Sequence, residues 1–199
     1  CWFWDQNNDG LPDLQVISYD VRAIDRVGGT LANEYLDQTQ DLGYSRCFLN
    51  NGDGTFRNVT EESGLKKVIF GMGSNFGDLD NDGRLDMYIG TGAPDLRSVV
   101  PNRMFRQDPS GVFQEVTMAG FGHIQKGHGI AFGDIDNDGD QDIYAVIGGA
   151  FQGDVSQNVL FKNQGNTNSW INILLKGKQS ANRSAIGAQI QIDLLEADG

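Results

Sequence analysis

The stretch Phe132-Gly133-Asp134-Ile135-Asp136-Asn137-Asp138-Gly139-Asp140-Gln141-Asp142-Ile143-Tyr144 decides the fold. Counting Asp134 as position 1, carboxylates stand at positions 1, 3, 5 and 9 and Gly139 at position 6. A loop that curls around an ion turns alternate side chains inward, so Asp134, Asp136 and Asp138 converge, and Asp142 closes the shell from the next strand. Position 7, here Asp140, is expected to offer its backbone carbonyl, which leaves its side chain unconstrained. The glycine permits the positive φ that folds the loop back. A set of hard oxygen donors suits Ca²⁺, which takes about 6–8 oxygens at roughly 2.3–2.6 Å, whereas Mg²⁺ prefers to keep several waters. No Cys or His lies in the loop, which argues against the transition metals.

Two further copies precede it. Phe76-Gly77-Asp78-Leu79-Asp80-Asn81-Asp82-Gly83-Arg84-Leu85-Asp86 carries Asp78, Asp80, Asp82 and Asp86, with the Arg84 carbonyl at position 7. Phe3-Trp4-Asp5-Gln6-Asn7-Asn8-Asp9-Gly10-Leu11-Pro12-Asp13 carries Asp5, Asn7, Asp9 and Asp13, with the Leu11 carbonyl. Three Ca²⁺ sites are therefore expected. Asn7 removes one carboxylate, and affinity follows ligand charge, so the Asp5 site is expected to be the weakest. An EF-hand fails because position 12 is Val16, Ile89 or Ala145 where it needs a bidentate Glu. The flanks also lack a helical stripe. Solubilising Asp-Gly turns are the bland alternative, which three copies with the same glycine and the same preceding Phe outweigh.

The copies belong to a longer repeat. At an offset of 56, Gly71, Gly73, Phe76 and Tyr88 land on Gly127, Gly129, Phe132 and Tyr144. Arg46, Phe48, Phe56 and Thr60 land on Arg103, Phe105, Phe113 and Thr117 at an offset of 57. Each unit reads strand, acidic loop, strand, connection, strand, hairpin, strand, rich in β-branched and aromatic residues. Four short strands per unit are the build of a propeller blade, which must stack on its neighbours to bury both faces. The expected fold is all-β: a partial β-propeller with metal loops, followed by a short β module. Blades are assigned to residues 1–66 (first strand truncated), 67–121 and 122–168, and the β module to 169–199. In the first blade Asp13 to Arg46 spans 33 positions against 17 for Asp86 to Arg103, an insertion within about 21–45 where Thr30 to Leu42 has weak helical periodicity. After the third blade, Trp170 to Leu175 and Ala188 to Leu194 alternate as two further strands.

Composition bounds the function. A net charge of −12 disfavours nucleic acid and anionic membranes as partners, and three Ca²⁺ would bring it to about −6. No apolar run is long enough to span a bilayer. The chain opens inside a repeat, so its N-terminus is expected to be cut. Cys1 and Cys47 stand in one unit and can pair in an oxidising compartment, or Cys47 is a buried strand residue.

The loops and their flanks resemble the FG-GAP (VCBS) repeats of integrin-type β-propellers. Trp170 to Ala188 resembles the start of an ASPIC/UnbV module, found after such repeats in cartilage acidic protein and in secreted bacterial proteins. The resemblance implies an extracellular, cell-surface or periplasmic Ca²⁺-binding propeller acting in adhesion, recognition or assembly, without catalysis. Its partner would be an extracellular protein or glycan. Self-association, or further blades from a longer chain, would complete the ring, since a closed propeller has typically 4–8 blades. Alternatives are a lectin using Trp2, Trp4 and Trp170, a stacked surface layer, or an accessory propeller of a lyase-type enzyme. For the last, His123, Lys126 and His128 are the candidate groups, although no nucleophile–base constellation is visible.

Overall fold

The structure is a computed structural model and describes residues 1–19, 27–36, 43–92, 100–124, 126–149, 153, 155–178 and 182–192. Three antiparallel meanders organise the unit Cys1–Ser169. The first comprises β1 (Trp2–Trp4), β2 (Asp13–Val16), β3 (Arg46–Asn50) and β4 (Phe56–Asn58). The second comprises β5 (Gly71–Gly77), β6 (Asp86–Thr91), β7 (Arg103–Gln107) and β8 (Phe113–Glu115). The third has β9 (Gly127–Gly133), β10 (Asp142–Ile147) and β11 (Val159–Phe161), three strands among the described residues. The class is all-β and propeller-like, with sheets that do not close into a ring.

Strand alternation explains the stacking. On β6, Met87 and Ile89 face the first sheet, where with Phe105 they join Trp4, Cys47 and Val59 in one core cluster. Tyr88 faces the other way and packs with Met104, Ile143, Ala145 and Ile147. All six residues of β6 are therefore buried. β10 alternates instead, with Ile143, Ala145 and Ile147 buried and Tyr144 and Val146 exposed. Between the second and third sheets the backbones nearly touch. A Cβ on Gly73 would lie 1.4 Å from the His128 carbonyl oxygen, so glycine is required there by contact.

Trp2 stacks on Phe76 (6.5 Å, 17°) and Trp4 on Phe113 (5.7 Å, 21°), so both serve the joint between sheets. Cys47 is fully buried, its Sγ 2.6 Å from Gln6 Oε1, and Cys1 is exposed; neither is in a disulfide. Burial, with the nearby Asp13 charge, pushes the Cys47 thiol up to about 12.

Two expectations are corrected. The helix of the insertion, α1, runs Val27–Tyr35 and so begins ahead of the expected Thr30, with Val27 and Thr30 its buried residues. Residues 20–26 and 37–42 lie outside the described set. Glu34 fastens α1 to the second sheet by accepting from the Val68 N–H (2.7 Å) and pairing with Arg103 (3.3 Å). The unit Trp170–Gly199, taken by itself, contains no strand among its described residues, although strands were expected at Trp170 to Leu175 and Ala188 to Leu194. Residues 193 and 194 lie outside the described set. It contains a turn in which Asn182 donates to the Ile186 carbonyl (2.7 Å) and accepts from the Ile186 N–H (3.0 Å).

Candidate metal centres

Each acidic loop links the first and second strands of its sheet, and the three are built alike. The position-1 carboxylate accepts from two backbone N–H groups across the loop. Asp5 binds those of Asp9 (3.0 Å) and Gly10 (2.8 Å). Asp78 binds Asp82 (3.0 Å) and Gly83 (2.9 Å), and Asp134 binds Asp138 (3.1 Å) and Gly139 (3.0 Å). Such curvature requires left-handed backbone at positions 4 and 6. Asn8, Asn81 and Asn137 have φ of 56°, 54° and 60°, and Gly10, Gly83 and Gly139 have 83°, 84° and 94°. The position-5 carboxylates of Asp9, Asp82 and Asp138 accept from the N–H two residues on, at 2.8, 2.9 and 3.1 Å.

Position 9 is a clasp. Asp13, Asp86 and Asp142 are 0, 1 and 2% exposed. Oδ2 of each accepts from the position-2 N–H of Gln6, Leu79 or Ile135, at 2.9–3.1 Å. Oδ1 accepts from the N–H of Asn50, Gln107 or Asn163, at or just after the end of the third strand, at 2.8–3.0 Å. One buried carboxylate thus ties three segments of its blade together.

Position 3 is treated differently, because no N–H across the loop serves Asp80 or Asp136, whereas Asn7 accepts from the Asp9 N–H (3.3 Å). Asp80 is paired with Arg106, which also reaches Asp82 (3.6 Å), and Asp136 is paired with Lys162. Asn7 donates to Asp9 (2.9 Å) instead. Carboxylate oxygens of Asp78, Asp80 and Asp86 lie within 4.8 Å of one another, as do those of Asp134, Asp136 and Asp138. That span is no more than two Ca²⁺–oxygen bonds laid end to end. The first loop has no such carboxylate trio.

Electrostatics of the second loop point the same way. Burial raises Asp78, Asp80 and Asp86 above the usual carboxylate range, the neighbouring acids adding to it; Asp86 is pushed up to about 7. Burial likewise raises Asp13. Asp136 goes the other way, lowered by its hydrogen bond to Lys162. Asp80 Oδ1 is buried with no hydrogen-bond partner, an orphan of the kind a cation satisfies. Oxygen-only donors, a short span and an orphaned oxygen all fit Ca²⁺.

Position-7 side chains are not unconstrained, which corrects the expectation. Arg84 turns back onto Asp82, and Asp140 accepts from Asn81 (2.6 Å) and Asn166 (3.3 Å). The loops are also tied in series. Asn8 donates to the Gly83 carbonyl (2.6 Å) and Asn81 to the Gly139 carbonyl (3.2 Å). In the reverse direction Gln107 donates to the Gln6 carbonyl (3.2 Å) and Asn163 to the Leu79 carbonyl (2.7 Å).

Arg106 and Lys162 were not read as loop residues from the sequence. Their signal is the repeat itself, since they coincide at the offset of 56. Lys126 and His128, by contrast, stand at the end of β9 remote from its loop, where the His128 carbonyl meets Gly73.

Residues 5–89 and 90–145 match the model of a family described as FG-GAP-like repeat. The junction between the two matches falls inside β6. No curated protein matches the chain.

Proposed function

The chain belongs to the family of FG-GAP-like repeats, and on that premise we propose that it is a Ca²⁺-stabilised propeller segment serving extracellular recognition or assembly. Asp78, Asp80, Asp82 and Asp86 would hold one ion with the Arg84 carbonyl. Asp134, Asp136, Asp138 and Asp142 would hold a second with the Asp140 carbonyl. Asp5, Asn7, Asp9 and Asp13 would hold a third with the Leu11 carbonyl. The ions would supply positive charge where acidic groups crowd, fixing the loop end of each blade as a rigid surface for an extracellular protein or glycan. Sites of this kind fit compartments where Ca²⁺ is near 10⁻⁴–10⁻³ M, the range of extracellular modules. Among the described residues no helix is long and apolar enough to cross a membrane. Residues from Trp170 onward are assigned in the same reading to the start of an ASPIC/UnbV-like module.

The observation that carries the proposal is the threefold recurrence of one loop whose backbone is already folded by hydrogen bonds, with convergent carboxylate oxygens in two copies and a buried orphan at Asp80. Titration calorimetry with Ca²⁺, repeated with Mg²⁺, tests it. Up to three Ca²⁺ per chain and much weaker Mg²⁺ binding are expected. Absence of Ca²⁺ heat at millimolar concentration would refute the reading.

A further inference from the structure

Within the three repeats, one acid and one base change together. Position 3 is Asp80 in the second loop, Asp136 in the third and Asn7 in the first. The corresponding position of the third strand is Arg106, Lys162 and Leu49. Register places Leu49 and Arg106 alike, since Leu49 pairs with Arg57 on β4 and Arg106 with Gln114 on β8. Lys162 follows β11 directly. Where the loop has the extra acid, the strand supplies a base that sits on it. Where the loop has an amide, the strand supplies leucine.

These bases are not part of the core. Arg106 and Lys162 side chains are 54% and 53% exposed, so each has open solvent beside it into which it can swing. Arg103 shows the contrast: its side chain is 9% exposed and held by both Glu115 (2.6 Å) and Glu34 (3.3 Å), an ion pair that fixes structure. Arg106 and Lys162 also sit on position 3, where Asp80 and Asp136 lack the cross-loop N–H partners that serve positions 1, 5 and 9.

We propose that Arg106 and Lys162 are tethered counter-ions, which neutralise the position-3 carboxylate while the metal is absent and must be displaced by the divalent cation. This rests on the Ca²⁺ reading above. Loops 2 and 3 would then exchange a monovalent side-chain cation for Ca²⁺, whereas loop 1 would simply bind or release its ion. Each base holds its loop together when Ca²⁺ is scarce and lowers its affinity when Ca²⁺ is present. The two effects have opposite signs, which makes the role testable.

The test uses the full chain with Arg106→Gln, Lys162→Gln and the double substitution, read by Ca²⁺ calorimetry and by melting in EDTA. A half-exposed pair of this kind corresponds to about a two- to fivefold change in an equilibrium constant. Each substitution is therefore expected to tighten Ca²⁺ binding at one site by about that factor, while lowering the melting temperature in EDTA. Lys162→Arg should restore both values. A role confined to packing would weaken Ca²⁺ binding and stability together, and that result, or unchanged affinity, would overturn the inference. Wild-type protein that binds no Ca²⁺ would overturn this inference and the proposed function alike; wild-type binding with an unmoved variant would overturn this inference alone.

Discussion

Residues 5–13 and 78–86 have the same backbone and different charge. Both curl through a left-handed Asn and a left-handed Gly, both are closed by the position-1 carboxylate, and both are anchored by a buried Asp at position 9. They part at position 3, where Asn7 turns to Asp9 while Asp80 meets Arg106. The comparison separates two jobs that the motif merges. Positions 1, 5 and 9 fold the loop through N–H groups, and position 3 with its strand partner sets how strongly a cation is wanted. The first job is common to the copies, and the second is what varies.

The largest effect that would break this division is expected at position 9. Asp86→Ala removes the acceptor of two buried N–H groups, each costing about 1–3 kcal/mol when left unpaired. A loss of about 3 kcal/mol in urea denaturation is expected even in EDTA. A loss seen only with Ca²⁺ present would mean that Asp86 is a ligand and not also a clasp. Next comes Gly73→Ala, which presses a methyl group into the His128 carbonyl and should cost about 1–3 kcal/mol by overpacking, independent of Ca²⁺. It checks that the second sheet is clamped by backbone contact and not by its loop.

Substitution at position 3 should do the reverse, leaving the fold and moving the metal. Asp80→Asn is expected to change stability in EDTA by less than about 1 kcal/mol, since the Arg106 pair is partly solvated. Its Ca²⁺ affinity at that site should fall on the order of tenfold, because ligand charge sets affinity. Asn7→Asp should gain affinity in the first loop, where no base opposes the added carboxylate. Calorimetry on both variants reads the pair, and equal insensitivity of the two loops would remove the comparison.

Smallest is the dependence on pH without metal. Asp86 in the folded chain titrates at about 7, above the roughly 3.9 of an unfolded aspartate. Between those values the folded chain keeps a proton that the unfolded chain has released, so stability falls as pH rises through the window. Melting in EDTA is expected at a higher temperature at pH 5 than at pH 8, and Ca²⁺ should erase or reverse the difference. A higher melting point at pH 8 in EDTA would contradict the burial of that charge.

Much of this architecture was legible because it repeats. The acidic positions, the glycines and the strands after Asp13, Asp86 and Asp142 follow from alternation and spacing that recur three times. Contacts between repeats were less visible. The side chain of Asp140 looks free in the motif and is engaged in the fold, because its partners Asn81 and Asn166 are brought to it by three-dimensional neighbourhood. Alternation from Trp170 to Leu175 is a genuine strand pattern, yet a strand exists only when another pairs with it, and no described residue of that unit does so. In α1 the apolar spacing is weak, and the helix already includes Val27, ahead of the expected Thr30.

The central claim is that the three loops are cation sites, and anomalous scattering tests it most directly. Crystals of the full chain grown with Ca²⁺, measured at long wavelength, should show a peak inside each loop at roughly 2.3–2.6 Å from the position-1, -3 and -5 side-chain oxygens. The peak at Asp5 should be the weakest of the three, and Arg106 and Lys162 should have swung away from Asp80 and Asp136. Loops without peaks, still closed over Arg106 and Lys162 at millimolar Ca²⁺, would contradict the account.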